Sequence, residues 1–270
     1  MSAIDRIRIA VMRLFVRTVG RLSDGTRLCL EHGLTSGKMV DYVYRNRPSG
    51  KTALGRSIDR RFLEHPGWEA VRARRRNLET LLLEAIAELR RAGRPVSLVD
   101  IASGPALYVL SVVEEAGGDD VRAVCRDLDE RWLREGEAEA ARRGLAGRVR
   151  YQRGDAFAAG ELAAIEPRPN LVVASGFYDW IGDDDAVRRS FSIVCDVLDS
   201  PGEMVLTNQT SHPDLAMVTG VFTGFDRQPL TMRMRPAAEI EGWLAEAGFR
   251  VERSLADPGG YYSVTRARKG

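Results

Sequence analysis

Apolar residues recur at two different spacings along this chain, and the change of spacing divides it. In the first 92 residues the spacing is helical. Ile4, Ile7, Val11, Leu14 and Phe15 form one stripe, with Arg6, Arg13 and Arg17 interleaved. The stripe predicts an N-terminal helix packed on its own domain; the other place for a basic amphipathic helix is a membrane surface. Residues 21–52 contain Gly25, Gly33, Gly37, Pro48 and Gly50, which predict loops and short helices. A long helix is expected over about residues 67–92. Val71, Leu78, Leu81, Leu82, Ala85 and Leu89 give it an apolar face, and Gly93 with Pro95 ends it.

From residue 93 onward, short apolar runs alternate with amphipathic stretches. The runs are 96–101, 121–125, 149–152, 171–174 and 204–207, and helical patterns fall at about 105–116, 129–143, 158–165 and 184–198. Such alternation predicts an α/β fold, a parallel sheet with helices on both faces. A helix at 239–247 precedes strands at 249–254 and 261–265, joined by Asp257-Pro-Gly-Gly, which reads as an antiparallel hairpin closing the sheet. Two domains are therefore expected: a helical cap or lid with a substrate-binding segment over 1–92, and the sheet domain over 93–270.

Composition narrows the chemistry. A net charge of +2 gives no basic field for nucleic acid. Cys29, Cys125 and Cys195 form no Cys-x-x-Cys pair, and His32, His65 and His212 are the only histidines, so no metal site is expected. No secretory signal is visible and no apolar run approaches about 18 residues. Stable membrane insertion is not expected, and a cytoplasmic location is.

The candidate chemistry lies where strands end. The first run leads into Val-Asp-Ile-Ala-Ser-Gly-Pro-Ala at 99–106 and directly into a helix. Small residues there let the backbone approach a ligand beside the unpaired N–H groups of the helix start. Ala in two places separates the turn from the dinucleotide Gly-x-Gly-x-x-Gly. The second run ends at Arg126-Asp-Leu-Asp. Asp127 can accept two hydrogen bonds from a ribose diol, while Asp129 reads as a helix N-cap. The third ends at Gly154-Asp-Ala-Phe, where an acid beside an aromatic can take an adenine amino group or simply make a turn.

These three elements in this order resemble the Rossmann-like sheet of class I S-adenosylmethionine (SAM)-dependent methyltransferases over about residues 93–270, with Ala102 and Ala106 where the common pattern has Gly. The resemblance implies SAM as cofactor and S-adenosylhomocysteine as product. It implies that Asp100 orients the methionine amino group, directly or through water, and that Ala102 and Gly104 line the methionine chain. Asp127 would bind the ribose, and Asp155, Ala156 and Phe157 the adenine, with Ser103, Leu128 and Ser175 completing the cofactor set. The segments Asp41-Tyr-Val-Tyr-Arg-Asn, Gly55-Arg-Ser-Ile-Asp-Arg-Arg-Phe-Leu and Gly67-Trp, with residues 72–78, further resemble a bacterial methyltransferase family, some of whose members are fused to α/β-hydrolase domains. Similar enzymes also occur in pathways of cyclopropane-containing antibiotics.

Methyl transfer is an in-line displacement, so the protein must align the partners and exclude water. The acceptor is expected beside the ends of the fourth and fifth runs. There Ser-Gly-Phe-Tyr-Asp-Trp at 175–180 offers Phe177 and Trp180 as a binding wall, with Tyr178 and Asp179 as candidate bases. His212, after the fifth run, is a further candidate base, against a turn or cap role. Tyr42, Tyr44 and Arg45 are expected to line the acceptor from the cap, the two tyrosines pointing to one side if their segment is extended. Arg60, Arg72 and Arg76 could meet a substrate carboxylate or structural acids, and Trp68 reads as a core anchor. The leading expectation is a methyltransferase acting on a small molecule, such as a secondary-metabolite intermediate. The alternatives are ring closure of a SAM-derived adduct on the same site and a non-catalytic SAM-binding scaffold. Base methylation is disfavoured by the absence of an Asn/Asp-Pro-Pro-Tyr/Trp run after the fourth strand. A homodimer is compatible with the chain.

Overall fold

A computed structural model describes residues 2–224 and 226–270. In chain order the helices and strands are α1 (Ala3–Arg17), α2 (Asp24–His32), α3 (Gly37–Arg45), α4 (Ala53–Leu63), α5 (Pro66–Arg91), β1 (Val96–Asp100), α6 (Leu107–Ala116), β2 (Val121–Asp127), α7 (Glu130–Arg142), β3 (Val149–Arg153), α8 (Ala159–Ala163), β4 (Leu171–Ala174), α9 (Asp184–Val197), β5 (Glu203–Gln209), α10 (Leu215–Val221), α11 (Ala237–Glu246), β6 (Phe249–Ala256) and β7 (Tyr262–Lys269). Short 3₁₀ turns lie at Val19–Leu22 and Tyr178–Trp180.

The chain forms two compact units. The first comprises residues 1–73 and 212–232, the second 74–211 and 233–270. This division departs from a boundary at 92/93. The cause is the apolar face of α5: Leu78, Leu81, Leu82, Ala85, Ile86 and Leu89 are buried in the core of the sheet unit. Each large side chain so buried contributes on the order of 2 kcal/mol, which ties this stretch of helix to the sheet.

The seven strands run in the order β3-β2-β1-β4-β5-β7-β6. β1 to β5 are parallel, and β7 inserts antiparallel between β5 and β6. The period of two sends alternate residues to opposite faces. Leu98, Leu171, Val173 and Val205 join one core with α5 and α6. Val99, Val172, Ala174, Met204 and Leu206 join the other with α9 and α11. The order reverses between β1 and β4, and ligands of open α/β sheets bind at such a switch, off the carboxyl ends of the strands.

In the first unit, α3 replaces the extended segment considered for Tyr42 and Tyr44. Ser36 caps it through the Met39 N–H, and Met39 and Val43, one helical turn apart, are both buried. Two positions apart on a helix, Tyr42 and Tyr44 face different sides. The unit is held around Asp59 of α4, which is fully buried. Its carboxylate accepts from Ser23 Oγ at 2.7 Å, Gly25 N at 2.9 Å and Ser49 N at 2.8 Å, and from the Tyr42 hydroxyl. The stripe of α1 also departs from expectation. Ile9 and Val16 are buried, whereas Ile4, Ile7, Val11, Leu14 and Phe15 are exposed. Among the described residues no helix is long and apolar enough to cross a membrane.

Candidate functional site

The turn after β1 is built by backbone hydrogen bonds to its neighbours. Ile101 N donates to Val173 O of β4 at 3.2 Å, and Ser103 N to Arg126 O of β2 at 2.8 Å. Ala106 N closes the turn on Ser103 O at 3.0 Å. Gly104 adopts a left-handed backbone, φ +53°, and a Cβ on it would meet nothing within 4 Å. The turn thus presents bare backbone to open space. Ala106 takes the same region at φ 53°, so its methyl carries the strain usually spared by Gly.

Asp100, at the end of β1, is fully buried. Its carboxylate accepts from Ala102 N at 3.3 Å and from the Tyr108 hydroxyl. Burial is the main influence on it and pushes its pKa up to about 7; the two hydrogen bonds act the other way, and the negative charge of Asp127 adds a smaller upward push. Asp100 therefore shapes the turn from beneath.

Asp127 lies at the end of β2, half-buried. One carboxylate oxygen accepts from Gly104 N at 2.8 Å and the other from Asp129 N at 2.9 Å. Each oxygen keeps a lone pair for a ligand. Asp129 is the N-cap of α7, accepting from Arg131 N, as its place in the sequence implies. Leu128 between them is exposed.

After β3, Asp155 accepts from Phe157 N at 2.9 Å, forming a turn. Its own N–H donates to Glu161 at 3.2 Å, and Glu161 pairs at 2.5 Å with Arg126, a fully buried guanidinium. Arg126 fits only because residue 154 is Gly: a Cβ there would lie 2.1 Å from its Nη2. Nε and Nη1 of Arg126 are buried without a hydrogen-bond partner. Ala156 is buried.

Aromatic rings link this loop to the one after β4. Phe157 and Phe177 lie 5.5 Å apart, Phe177 and Tyr178 5.1 Å, and Tyr178 and Phe191 5.0 Å. The chain of rings starts half-buried and ends in the core. Ser175 and Gly176 are half-buried at the end of β4, where Gly176 N donates to Thr207 Oγ1 of β5 at 2.7 Å. Trp180 is exposed.

The two acceptor-side bases expected here take structural positions. Tyr178 is fully buried, with its hydroxyl 3.0 Å from Ser190 Oγ, and burial raises its pKa above the usual phenol value. Asp179 is buried and accepts from Gln209 N at 2.8 Å, holding the end of β5; burial raises its pKa while Arg74 opposes the shift. Both side chains are buried and already hydrogen-bonded within the fold.

Arg235 and Arg74, neither expected at the site from the sequence, complete this loop. Arg235 is fully buried. It donates to Tyr178 O at 2.9 Å and Ile181 O at 2.6 Å and pairs with Asp184 at 2.8 Å, clamping the 3₁₀ turn. Arg74 lies over the Tyr262 ring at 4.8 Å, and its Nη1 would be 3.3 Å from a Cβ at Gly176. A guanidinium thus stands beside the loop that follows β4.

In the other unit, Tyr42 is committed to Asp59 and Arg45 to Asp41, at 2.6 Å one turn away. Tyr44 is half-buried on α3. Arg72 donates to Leu63 O at 3.0 Å, and Trp68 packs on Phe62 with centroids 5.6 Å apart. His212 is tied to its own turn: its Nδ1 accepts from Asp214 N at 3.1 Å. His65 meets the side chain of the same residue, Nε2 to Asp214 Oδ2 at 3.1 Å. An Nδ1 that accepts leaves the proton of neutral His212 on Nε2, so the ring offers a donor and not a base. Burial, and to a lesser degree His65, lowers its pKa. Among the described residues no group of His, Cys, Asp or Glu is placed to hold a metal ion.

The residues of the sheet unit fit SAM. Open space lies over Gly104, Asp127 retains acceptor capacity for a diol, and half-buried Phe157 and Phe177 offer an apolar wall.

The model of a putative methyltransferase family matches residues 1–269. The uncharacterized protein YnbC of Escherichia coli K12 is 36% identical over 258 residues, covering 95% of this chain and 44% of YnbC. The chain thus spans under half of that relative. The structure of a possible exported protein from Bordetella parapertussis superposes with a TM-score of 0.73 at 22% identity, over 98% of this chain and 93% of that one. Magnesium protoporphyrin IX methyltransferase from Synechocystis, solved with S-adenosylhomocysteine bound, gives 0.56 at 14% identity, over 89% and 99%. The chain belongs to the putative methyltransferase family and has the Rossmann-like fold of class I methyltransferases.

Proposed function

We propose that this protein transfers the methyl group of SAM to a small molecule, with a secondary-metabolite intermediate as the acceptor class. The observation that carries the reading is the Asp127–Gly104 hydrogen bond, which joins the ends of β1 and β2 into one cradle with backbone on one side and a carboxylate on the other. In that cradle Ala102, Ser103 and Gly104 line the methionine portion, and Asp100 sets the turn's shape from below. Asp127 takes the ribose diol, with Leu128 covering it. Asp155, Ala156 and Phe157 receive the adenine.

When bound, SAM would supply an electrophilic methyl on a sulfonium, with a neutral thioether as the leaving group. The protein's work is alignment and exclusion of water. Ser175 and Phe177, at the end of β4, face the methyl end of the cofactor in this reading. Phe177 and Trp180 form the acceptor wall of this unit. No dedicated base is assigned, since an acceptor that is already a good nucleophile sheds its proton late or to water.

The test is incubation with SAM and candidate small-molecule acceptors, read by mass spectrometry. An acceptor gaining one methyl, with stoichiometric S-adenosylhomocysteine, supports the reading. Product formation without added methyl, or calorimetry showing no binding of SAM or S-adenosylhomocysteine, overturns it.

A further inference from the structure

We propose that the outward face of α1 is a docking surface for an anionic lipid bilayer. The orientation of this helix is fixed from its other side. Ile9 lies against Gly220 of α10, where a Cβ would come within 2.8 Å of it, and Arg13 Nε donates to Gly220 O at 2.6 Å. With Ile9 and Val16 buried on that side, the helical period turns the apolar stripe away from the protein. Ile4, Ile7, Val11 and Leu14 are 62–69% exposed, and the stripe continues through Phe15 and Val19. Monomeric proteins rarely expose large contiguous apolar patches, and those they do expose mark protein or membrane interaction sites.

Charge selects the occupant. Residues 1–22 hold five arginines and one acid, Asp5. Asp5 is already engaged by the Ser2 N–H and hydroxyl at the head of the helix. By helical period, Arg8 edges the stripe on one side, and Arg6 and Arg17 edge it on the other. All three are exposed. Apolar side chains flanked by arginines are the composition of a helix that lies in a bilayer interface, its apolar face sunk about 5–10 Å and its basic groups at the phosphates. A second copy of the chain fits less well. Joining two such stripes brings the arginines of both copies to one seam, with no free acid to meet them.

The experiment is co-sedimentation of the full chain with vesicles of phosphatidylglycerol and phosphatidylcholine, against vesicles of phosphatidylcholine alone. The chain is expected to sediment with the anionic vesicles and to be released as salt rises. Arg6→Gln/Arg17→Gln should weaken partitioning on the order of tenfold. Ile7→Asp/Leu14→Asp should abolish it while helix content and S-adenosylhomocysteine binding stay unchanged, both positions being exposed. Equal sedimentation with both vesicle types, or retention by Ile7→Asp/Leu14→Asp, overturns the proposal. A dimer in sedimentation velocity that this variant disperses, without vesicle binding, overturns it in favour of a second copy.

Discussion

The carboxylate of Asp127 accepts the Gly104 N–H at 2.8 Å and so couples the end of β2 to the turn after β1. The same group is the expected ribose ligand, and two substitutions separate these duties. Asp127→Asn keeps an oxygen for Gly104 but loses the charge and one acceptor. Asp127→Ala loses all of it. Hydrogen bonds to charged groups contribute about 1.5–3 kcal/mol, so calorimetry should show S-adenosylhomocysteine binding weakened roughly 10- to 100-fold in Asp127→Ala. Asp127→Asn should lose less stability than Asp127→Ala, since only the Asp129 N–H loses its acceptor, and should bind several-fold more weakly than the wild type. Unchanged affinity in Asp127→Ala would show that the cofactor lies elsewhere.

Much of this cradle was legible in the sequence because it is made of local signals. The run at 171–174 is β4 residue for residue, and the 129–143 helix starts on its Asp129 cap. Short continuous apolar runs and strand-end acids mark such features without knowledge of the rest of the fold. What escaped depends on contacts between distant residues. Arg235 acts on carbonyls of Tyr178 and Ile181, 57 and 54 positions away, and an arginine between strand and helix gives no hint of burial. Tyr42 and Tyr44 drew attention as an alternating pair, while the helix they sit on is set by Met39 and Val43. On α1 the periodicity reveals an apolar stripe, but the face that packs is chosen by Gly220, two hundred residues on.

Asp100 makes the stability of the protein depend on pH with an unusual sign. Its ordinary pKa of 3.8 is raised to about 7 in the folded state. Below about pH 4 both states carry the proton and its burial costs nothing. Between 4 and 7 the unfolded chain ionises first, so the folded state loses stability as pH rises. At 1.36 kcal/mol per pKa unit the loss is roughly 2–4 kcal/mol. Urea denaturation from pH 4 to 8 should show this slope, and Asp100→Asn, which carries no charge in either state, should flatten it. An ammonium group placed nearby favours the ionised form, so S-adenosylhomocysteine should restore stability most at pH 7 and above. A slope that survives in Asp100→Asn belongs to other groups.

Gly154 and Arg126 should behave as a coupled pair. A methyl on residue 154 overlaps the buried guanidinium, 2.1 Å from Nη2. Gly154→Ala should destabilise by about 1–3 kcal/mol, the ordinary cost of overpacking. Arg126→Met should cost less. The guanidinium already lacks partners at Nε and Nη1, and Glu161 is half exposed, so no buried charge is stranded. The double variant should be more stable than the sum of the two single effects predicts, by 1 kcal/mol or more. Additive losses in a denaturation cycle would mean that the two residues do not share this space. Because Glu161 also holds Asp155 N, Arg126→Met is expected to weaken S-adenosylhomocysteine binding even where stability is unaffected.

His212 provides a test that needs no substrate. The Asp214 N–H fills its Nδ1, which places the proton of the neutral ring on Nε2. Burial and His65 both resist a second proton. Long-range ¹⁵N–¹H correlation spectra should therefore show the Nε2–H tautomer, with a titration midpoint below 6.5. The linkage follows: the unfolded ring takes up its proton near pH 6.5 and the folded one only at lower pH, so acid draws the protein toward unfolding through this site. His212→Gln removes the titration and should steepen nothing below pH 6.5; its stability should fall less than that of the wild type between pH 6.5 and 5. A base acting through Nε2 requires the opposite tautomer, with the proton on Nδ1. Finding that tautomer, or a midpoint above 6.5, would break the Asp214 contact and return His212 to the list of bases.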